Sequence, residues 1–143
     1  MLGLVVAASA VAGVRLVRGP RRVLSPEGRA AQAAVHAVSA TLPHLRRGLG
    51  RGSAARAAPH LRALVGAPAI AVCDPDRVLA FDGAGADHHG PGDPLALFLH
   101  GRRPDRLHVE PRVACEVPGC PLGSAVVAPI LVGETPVGHL VAA

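Results

Sequence analysis

The stretch AIAVCDPDRVLAFDG, residues 69–83, has the pattern of a β-hairpin. Two short apolar runs flank an Asp-Pro-Asp sequence, which is typical of two strands joined by a tight turn. We therefore expect strands over Ala69–Cys73 and Val78–Phe81, with the turn at Asp74–Asp76. A hairpin of this kind predicts an antiparallel sheet, and the sequence on either side indicates what packs on it.

Two helices are predicted on the N-terminal side of the hairpin. Ser25 can cap the first, Pro26 suits its first position, and Pro43 is expected to kink or divide it because proline lacks a backbone donor. Ser53 is the predicted cap of the second helix, and Gly66 is its predicted terminator. The first helix carries an apolar stripe at heptad-like spacing, formed by Val35, Val38, Leu42, Leu45 and Leu49. Such a stripe favours either packing on its own domain or a dimer-forming signalling helix.

On the C-terminal side, the sequence predicts one more short helix and three strands. The helix is expected in PLALFLHG, residues 94–101, and a strand in RLHVEP, residues 106–111. Two apolar strands around a turn at Gly133–Glu134 close the chain. The predicted fold class is α+β, a single domain with a central antiparallel sheet and flanking helices, preceded by an N-terminal hydrophobic helix.

Length and composition limit the classes of function. The chain has 143 residues, enough for one domain, a formal net charge of +5, two Phe, and no Trp, Tyr or Lys. Few aromatic side chains argue against haem or flavin, and against single-stranded nucleic acid, which stacks on aromatic rings. The arginines are scattered and form no recognition motif, so we expect no nucleic-acid partner.

The N-terminal segment MLGLVVAASAVAGV is apolar and is followed by RLVRGPRR. A spanning helix needs about 20 apolar residues, and Leu16 and Val17 extend this run towards that length. The arginines behind it favour retention in the cytoplasm. We expect residues 1–22 to be a membrane-anchor-like helix at the cytoplasmic membrane, with the rest of the chain in the cytoplasm. A buried helix and a signal-like leader are the alternatives.

Two loops carry residues with metal-binding or redox chemistry. The first is GADHHGPGDP, residues 85–94, and the second begins with CEVPGCPLGSA at residues 115–125. Thiolate and imidazole are the donors that Zn²⁺ or Fe²⁺ takes in a tetrahedral site. The candidate metal ligands are His88, His89, Cys115 and Cys120.

Three roles stay open for these loops at this point. Adjacent His side chains on an extended backbone point in opposite directions, so at most one is expected to reach a shared metal, with Asp87 as a candidate fourth ligand. Cys115 and Cys120 can alternatively form a redox-sensitive thiol pair, because four intervening residues allow disulfide geometry. In the third interpretation both loops are structural, and Asp87 caps a turn.

The two loops and their flanking strands together resemble a known family. Residues 69–94, AIAVCDPDRVLAFDGAGADHHGPGDP, and residues 115–141, CEVPGCPLGSAVVAPILVGETPVGHLV, are similar to the GAF domain of LytS-type (YehU-type) sensor histidine kinases in the version typical of actinobacteria. In that family a hairpin leads into a G-x-G-x-D-H-H-x-x-G loop, and a C-x₄-C-P-L-x-S-A segment enters the last two strands. The resemblance covers residues 23–142.

The resemblance implies a sensory input domain of a two-component histidine kinase. It implies an anchor at 1–22, signalling or linker helices and the first GAF helix at 23–65, and the rest of the GAF domain at 66–143, with the kinase domains absent. It also implies a homodimer, a kinase domain in trans or in a missing C-terminal part, and a response regulator reached through that kinase. No phosphate transfer is expected from this chain alone, and His36 is interpreted as a surface histidine.

GAF domains bind small molecules, so the resemblance also implies a pocket beside the two loops. The signal sensed there is expected to be a small ligand, a metal or a redox change. The candidate pocket residues are Asp87, His88, His89, Cys115, Cys120 and Ser124. Nearby Arg102, Arg103 and Arg106 would favour an anionic metabolite, or would form a solvated charged turn.

Two other functions are alternatives to the sensor. A free methionine-R-sulfoxide reductase is also a GAF protein, and its nucleophilic and resolving Cys would make this chain an enzyme. A purely structural dimerisation domain would keep its dimer without the Cys and His side chains. The loop motifs favour the sensor.

Overall fold

A computed structural model of the chain describes residues 25–46, 48–99 and 104–143. The predicted membrane-anchor helix at 1–22 and the side chains of Arg102 and Arg103 lie outside the described residues. The chain divides into two compact units, Met1–Ala31 and Gln32–Ala143. The sheet, its core and both predicted loops belong to the second unit.

Helix α1 spans Pro26–Leu45, and the Ser25 hydroxyl accepts a hydrogen bond from the Gly28 N–H at 3.1 Å, which confirms the predicted cap. The predicted division at Pro43 is wrong, because the helix includes Pro43 and ends at Leu45. Pro43 lies in the last turn, where the missing donor interrupts little of the hydrogen-bond ladder. Within the described residues, none of the helices combines the length and the apolar character needed to cross a membrane.

Helix α2 spans Arg51–Val65 and begins two residues before the predicted cap. Gly50 is the N-cap residue, and Ser53 lies within the first turn, where its hydroxyl accepts a hydrogen bond from the Gly50 N–H at 2.9 Å. Ser53 therefore stabilises the start of the helix from inside it. Gly66 ends the helix in the left-handed conformation at φ 70°, as predicted.

The strands are β1 (Ala69–Cys73), β2 (Val78–Gly83), β3 (His108–Glu110), β4 (Ala125–Val132) and β5 (Thr135–Ala142), and a short helix, α3 (Ala96–Leu99), precedes β3. These five strands form one antiparallel sheet in the order β2-β1-β5-β4-β3. In the β1–β2 turn, the Asp74 carboxylate accepts hydrogen bonds from the N–H groups of Asp76 and Arg77, both at 2.8 Å. The predicted α+β class and the predicted hairpins are confirmed.

Strand β1 is buried along its whole length and separates two apolar clusters. Ile70 and Val72 pack with Ala54 and Ala58 of α2 on one face of the sheet. On the other face, β1 contributes to a second cluster, whose buried members are Ala69, Ala71, Cys73, Val78, Leu95, Phe98, Leu99, Val113, Leu122, Ala125, Val127 and Val141. Cys115 and Cys120 pack against this second cluster, so the core itself positions the cysteine loop.

Gly138 on β5 provides a test of how closely these layers are packed. A Cβ at this position would overlap the Cys73 carbonyl and would lie 2.6 Å from Leu49 Cδ2. We expect Gly138→Ala to lower the free energy of unfolding by about 1–3 kcal/mol, because the sheet and the α1–α2 connection must shift to make room. Chemical denaturation of the full chain measures the change.

The matched control is Gly123→Ala, since a Cβ at Gly123 has open space within 4 Å. We expect this control to unfold within about 0.5 kcal/mol of the natural chain. Equal stability of the Gly138→Ala and Gly123→Ala variants would contradict this close packing around Gly138.

Candidate metal centre

The loop after β2 is curled, and this decides where its two histidines point. The Gly85 carbonyl accepts hydrogen bonds from the N–H groups of both His88 and His89, at 3.1 and 2.8 Å, and Gly85 itself has φ 87°. The two imidazole centroids lie 4.4 Å apart. The expected divergence of the side chains is therefore wrong, because it assumed an extended backbone and the residues form a turn.

The cysteine loop is held at its base by two backbone hydrogen bonds. The Val113 N–H donates to the Gly123 carbonyl at 2.9 Å, and the Ala114 N–H donates to the Leu97 carbonyl next to Phe98 at 2.8 Å. Between the two cysteines, residues 116–119 are exposed. Both Cys115 and Cys120 are half-buried free thiols.

The two loops bring all four predicted metal ligands together. One donor atom from each of His88, His89, Cys115 and Cys120 lies within 4.8 Å of the other three. His89 Nε2 is 3.4 Å from Cys120 Sγ, although the two residues are 31 positions apart in sequence. Around a tetrahedral zinc ion such atoms are separated by roughly 3.3–3.8 Å, given the usual Zn–N and Zn–S bond lengths. The cluster needs only a small contraction to reach that geometry.

Carboxylates occupy the Nδ1 side of both histidines. Asp87 Oδ1 lies 2.9 Å from His88 Nδ1, and Asp93 Oδ2 lies 3.4 Å from His89 Nδ1. Asp93 is also fixed by the Gly90 N–H, which donates to its Oδ2 at 3.1 Å. A carboxylate on Nδ1 orients the ring and leaves Nε2 for an ion. Within the described part of the chain, His88 Nε2 is buried and has no hydrogen-bond partner.

The predicted site residues separate into two groups, because the four candidate ligands form the donor cluster and the other predicted residues lie outside it. Asp87 contacts a histidine from outside the donor cluster, and its side chain is 82% exposed. Ser124 is exposed and does not belong to the cluster, and Arg106 forms an exposed pair with Asp105. Asp93 was not identified from the sequence as a site residue. Its position four residues after His89, within the same loop, is the feature that could have indicated a contact with that histidine.

The protonation of these groups follows from their surroundings. Burial raises the pKa of the Cys73 thiol to about 12, and the Asp74 charge adds to the rise. Burial also raises the pKa of Cys120, and a hydrogen bond with Cys115 contributes in the same direction. The pKa of Asp87 is lowered by its own backbone N–H and by His88. With its pKa raised, the Cys120 thiol keeps its proton at neutral pH, and an ion that bound there would have to displace it.

A separate groove of about 280 Å³ lies beside the α1–α2 connection rather than beside the two loops. Its lining residues are His44, Gly48, Leu49, Gly50, Ser53 and Arg56.

His36, interpreted from the sequence as a surface histidine, is exposed on α1.

Comparison with known proteins identifies relatives of this chain and proteins of the same fold. Sensor histidine kinase/phosphatase LytS from Staphylococcus aureus strains Mu50 and COL is 31% identical over 105 residues, which are 70% of this chain and 18% of the relative. A crystal structure of the A. aeolicus nlh2 GAF domain in an inactive state matches with a TM-score of 0.54 and 14% identity, covering 79% of this chain and 80% of that chain. The chain is a GAF-domain homologue of LytS sensor histidine kinases. No protein-family model matches the sequence.

The comparisons confirm the LytS resemblance and the GAF fold that the loop motifs predicted. The chain spans about a fifth of the length of the curated LytS relatives, 18%. The actinobacterial origin and the domain boundaries at 22 and 65 stay predictions.

The burial of the three thiols of this LytS homologue predicts their reactivity. Cys73 is fully buried, whereas Cys115 and Cys120 are half-exposed. We expect iodoacetamide to modify two cysteines in the folded, chelator-treated chain at mildly alkaline pH, and three in denaturant. Peptide mass spectrometry identifies the sites. Modification of Cys73 at the same rate as Cys115 in the folded chain would contradict the described core.

Proposed function

We propose that this chain is the metal-binding input domain of a LytS-type sensor histidine kinase, with His88, His89, Cys115 and Cys120 as the ligands of one ion. The observation that carries the proposal is the convergence of their four donor atoms within 4.8 Å of one another. The buried and unpartnered His88 Nε2 supports it, because a buried polar atom normally has a partner.

The donor set favours Zn²⁺ over Fe²⁺. Two thiolates and two imidazoles in tetrahedral arrangement form a closed zinc site, and such closed sites order the protein around them. Two thiolate charges neutralise the dication. A neutral complex suits this position, because the ring of His89 lies 5.5 Å from that of Phe81 and 6.1 Å from that of Phe98.

A bound ion would connect two segments that are distant in sequence. The histidines belong to the loop that follows β2, and the cysteines belong to the loop that precedes β4. A ligand that binds the folded arrangement stabilises it by mass action. Metal availability would thus determine how firmly the two loops are joined, which is a physical basis for sensing.

The proposal includes a homodimer formed through α1. Val35, Val38 and Leu42 are 68%, 46% and 48% exposed and repeat at spacings of three and four residues. An apolar face of this kind on a signalling helix fits a second copy of the same helix. The proposed function also includes attachment to the membrane through residues 1–22 and a GAF domain in the cytoplasm. It further includes a kinase region, in trans or on a longer chain, and a response regulator reached through that kinase.

Metal binding is tested by titrating the chelator-treated full chain with Zn²⁺ and with Co²⁺ as a spectroscopic probe. We expect one ion per chain, with the visible absorption of tetrahedral cobalt and a thiolate charge-transfer band. The Cys115→Ser, Cys120→Ser double variant should lose stoichiometric binding, because only two imidazoles remain. Asp93→Asn should bind about 10–100-fold more weakly, because Asp93 orients His89.

Two variants serve as matched controls for this titration. His36→Ala removes an exposed histidine outside the cluster, and Asp105→Asn removes an exposed carboxylate outside the loops. Both should bind as the natural chain does. Unchanged cobalt spectra and affinity in the double cysteine variant would overturn the proposed site.

The dimer is tested by placing a charge on the apolar face of α1. We expect Val38→Glu to weaken self-association of the full chain at least about tenfold, since burying an unpaired charge in a helix–helix contact is costly. Sedimentation equilibrium in density-matched detergent measures the association constant. Ser39→Glu, at an exposed position beside the stripe, is the control. Equal weakening by both variants, or by neither, would argue against this interface.

A further inference from the structure

We propose that Cys115 and Cys120 form a redox switch in which a hydroperoxide oxidises the two metal-bound sulfurs to a disulfide and releases the ion. The inference rests on the metal site proposed above and adds a regulator to it. Metal binding and thiol oxidation, which were alternatives at the sequence level, become two states of one site.

The geometry of the cysteine pair supports the formation of a disulfide between them. Their sulfurs belong to the cluster of donor atoms that lie within 4.8 Å of one another. A disulfide requires a sulfur–sulfur distance of about 2.0 Å, so the sulfurs must approach by less than roughly 3 Å. Residues 116–119 are exposed and both cysteines are half-buried, so the two side chains can rotate towards each other while the base of the loop stays attached to the core.

Oxidation and metal binding exclude each other in this arrangement. The same two sulfur atoms would serve as metal ligands or as disulfide partners, and a disulfide sulfur carries no thiolate charge. After oxidation, two imidazoles remain of the four donors. That set leaves the charge of the ion uncompensated beside Phe81 and Phe98, so the ion is released.

The position of the three thiols makes the oxidation selective. Cys115 and Cys120 are half-buried at the edge of an exposed loop, which a small hydroperoxide can reach. Cys73 is fully buried on β1, within the second apolar cluster. The natural chain therefore contains an unreactive thiol as an internal reference.

The reaction balances with a hydroperoxide as the oxidant. One thiolate sulfur attacks a peroxide oxygen, the O–O bond breaks, and the departing oxygen takes a proton and leaves as water or an alcohol. The second thiolate attacks the resulting sulfenic sulfur, the S–O bond breaks, and hydroxide leaves and takes a second proton. Two electrons pass from the sulfurs to the peroxide, and Zn²⁺ leaves in its original oxidation state.

The experiment uses the zinc-loaded full chain and a small excess of hydrogen peroxide. A chromophoric zinc indicator follows the ion, and peptide mass spectrometry locates the disulfide. We expect one zinc ion released for each Cys115–Cys120 disulfide formed, with Cys73 unmodified. Reduction with a thiol reductant should restore zinc binding to its starting stoichiometry.

The outcomes separate the switch from the metal site. A chain that loads zinc but keeps it after the disulfide forms, or forms no such disulfide, overturns the switch and leaves the metal site standing. Release that accompanies a disulfide to Cys73 also overturns the switch. A reduced chain that never loads zinc overturns the metal site and the switch together.

Discussion

Burial of strand β1 on both faces is the constraint from which the rest of the domain follows. Ala69–Cys73 is covered along its whole length, so its alternating side chains must find two separate apolar surroundings. Helix α2 provides one of them, beneath Ile70 and Val72. The segment before α3 and the loop between β3 and β4 provide the other, through Leu95, Val113 and Leu122. The loops that carry the candidate ligands are thus part of the core and cannot move freely over it.

Within this fold, the Gly85 carbonyl determines the direction of the two histidine side chains. By accepting two successive N–H groups it curls the backbone, and His88 and His89 then project to the same side. An added Cβ at Gly85 would lie 3.1 Å from the His89 ring, so this glycine also allows the ring to pack closely. Without the curl, one imidazole would point away from the cysteine loop.

The sequence allowed the strands and the GAF resemblance to be predicted and named the four candidate donors, because each depends on local pattern or on motif spacing. The strand bounds at Ala69–Cys73 follow from an apolar run that ends at an Asp-Pro-Asp turn. The shared direction of His88 and His89 depends on a backbone turn that residue types alone do not specify. Asp93 acts on His89 through the folded loop, and Ser53 acts from within the first turn of α2. These contacts depend on backbone geometry that is set by the surrounding fold.

The electrostatics of the donor cluster support the proposed response to an ion. In the protein alone, His88 Nε2 is buried without a partner among the described residues, and an unmade hydrogen bond of this kind costs about 1–3 kcal/mol. Cys120 shares its surroundings with a second thiol and a histidine, and burial opposes its ionisation. A divalent cation would remove both penalties, because it accepts the imidazole lone pair and stabilises the thiolate charge. The proposed ion would therefore lower the free energy of this cluster, and such a difference in free energy is what a sensor of the ion requires.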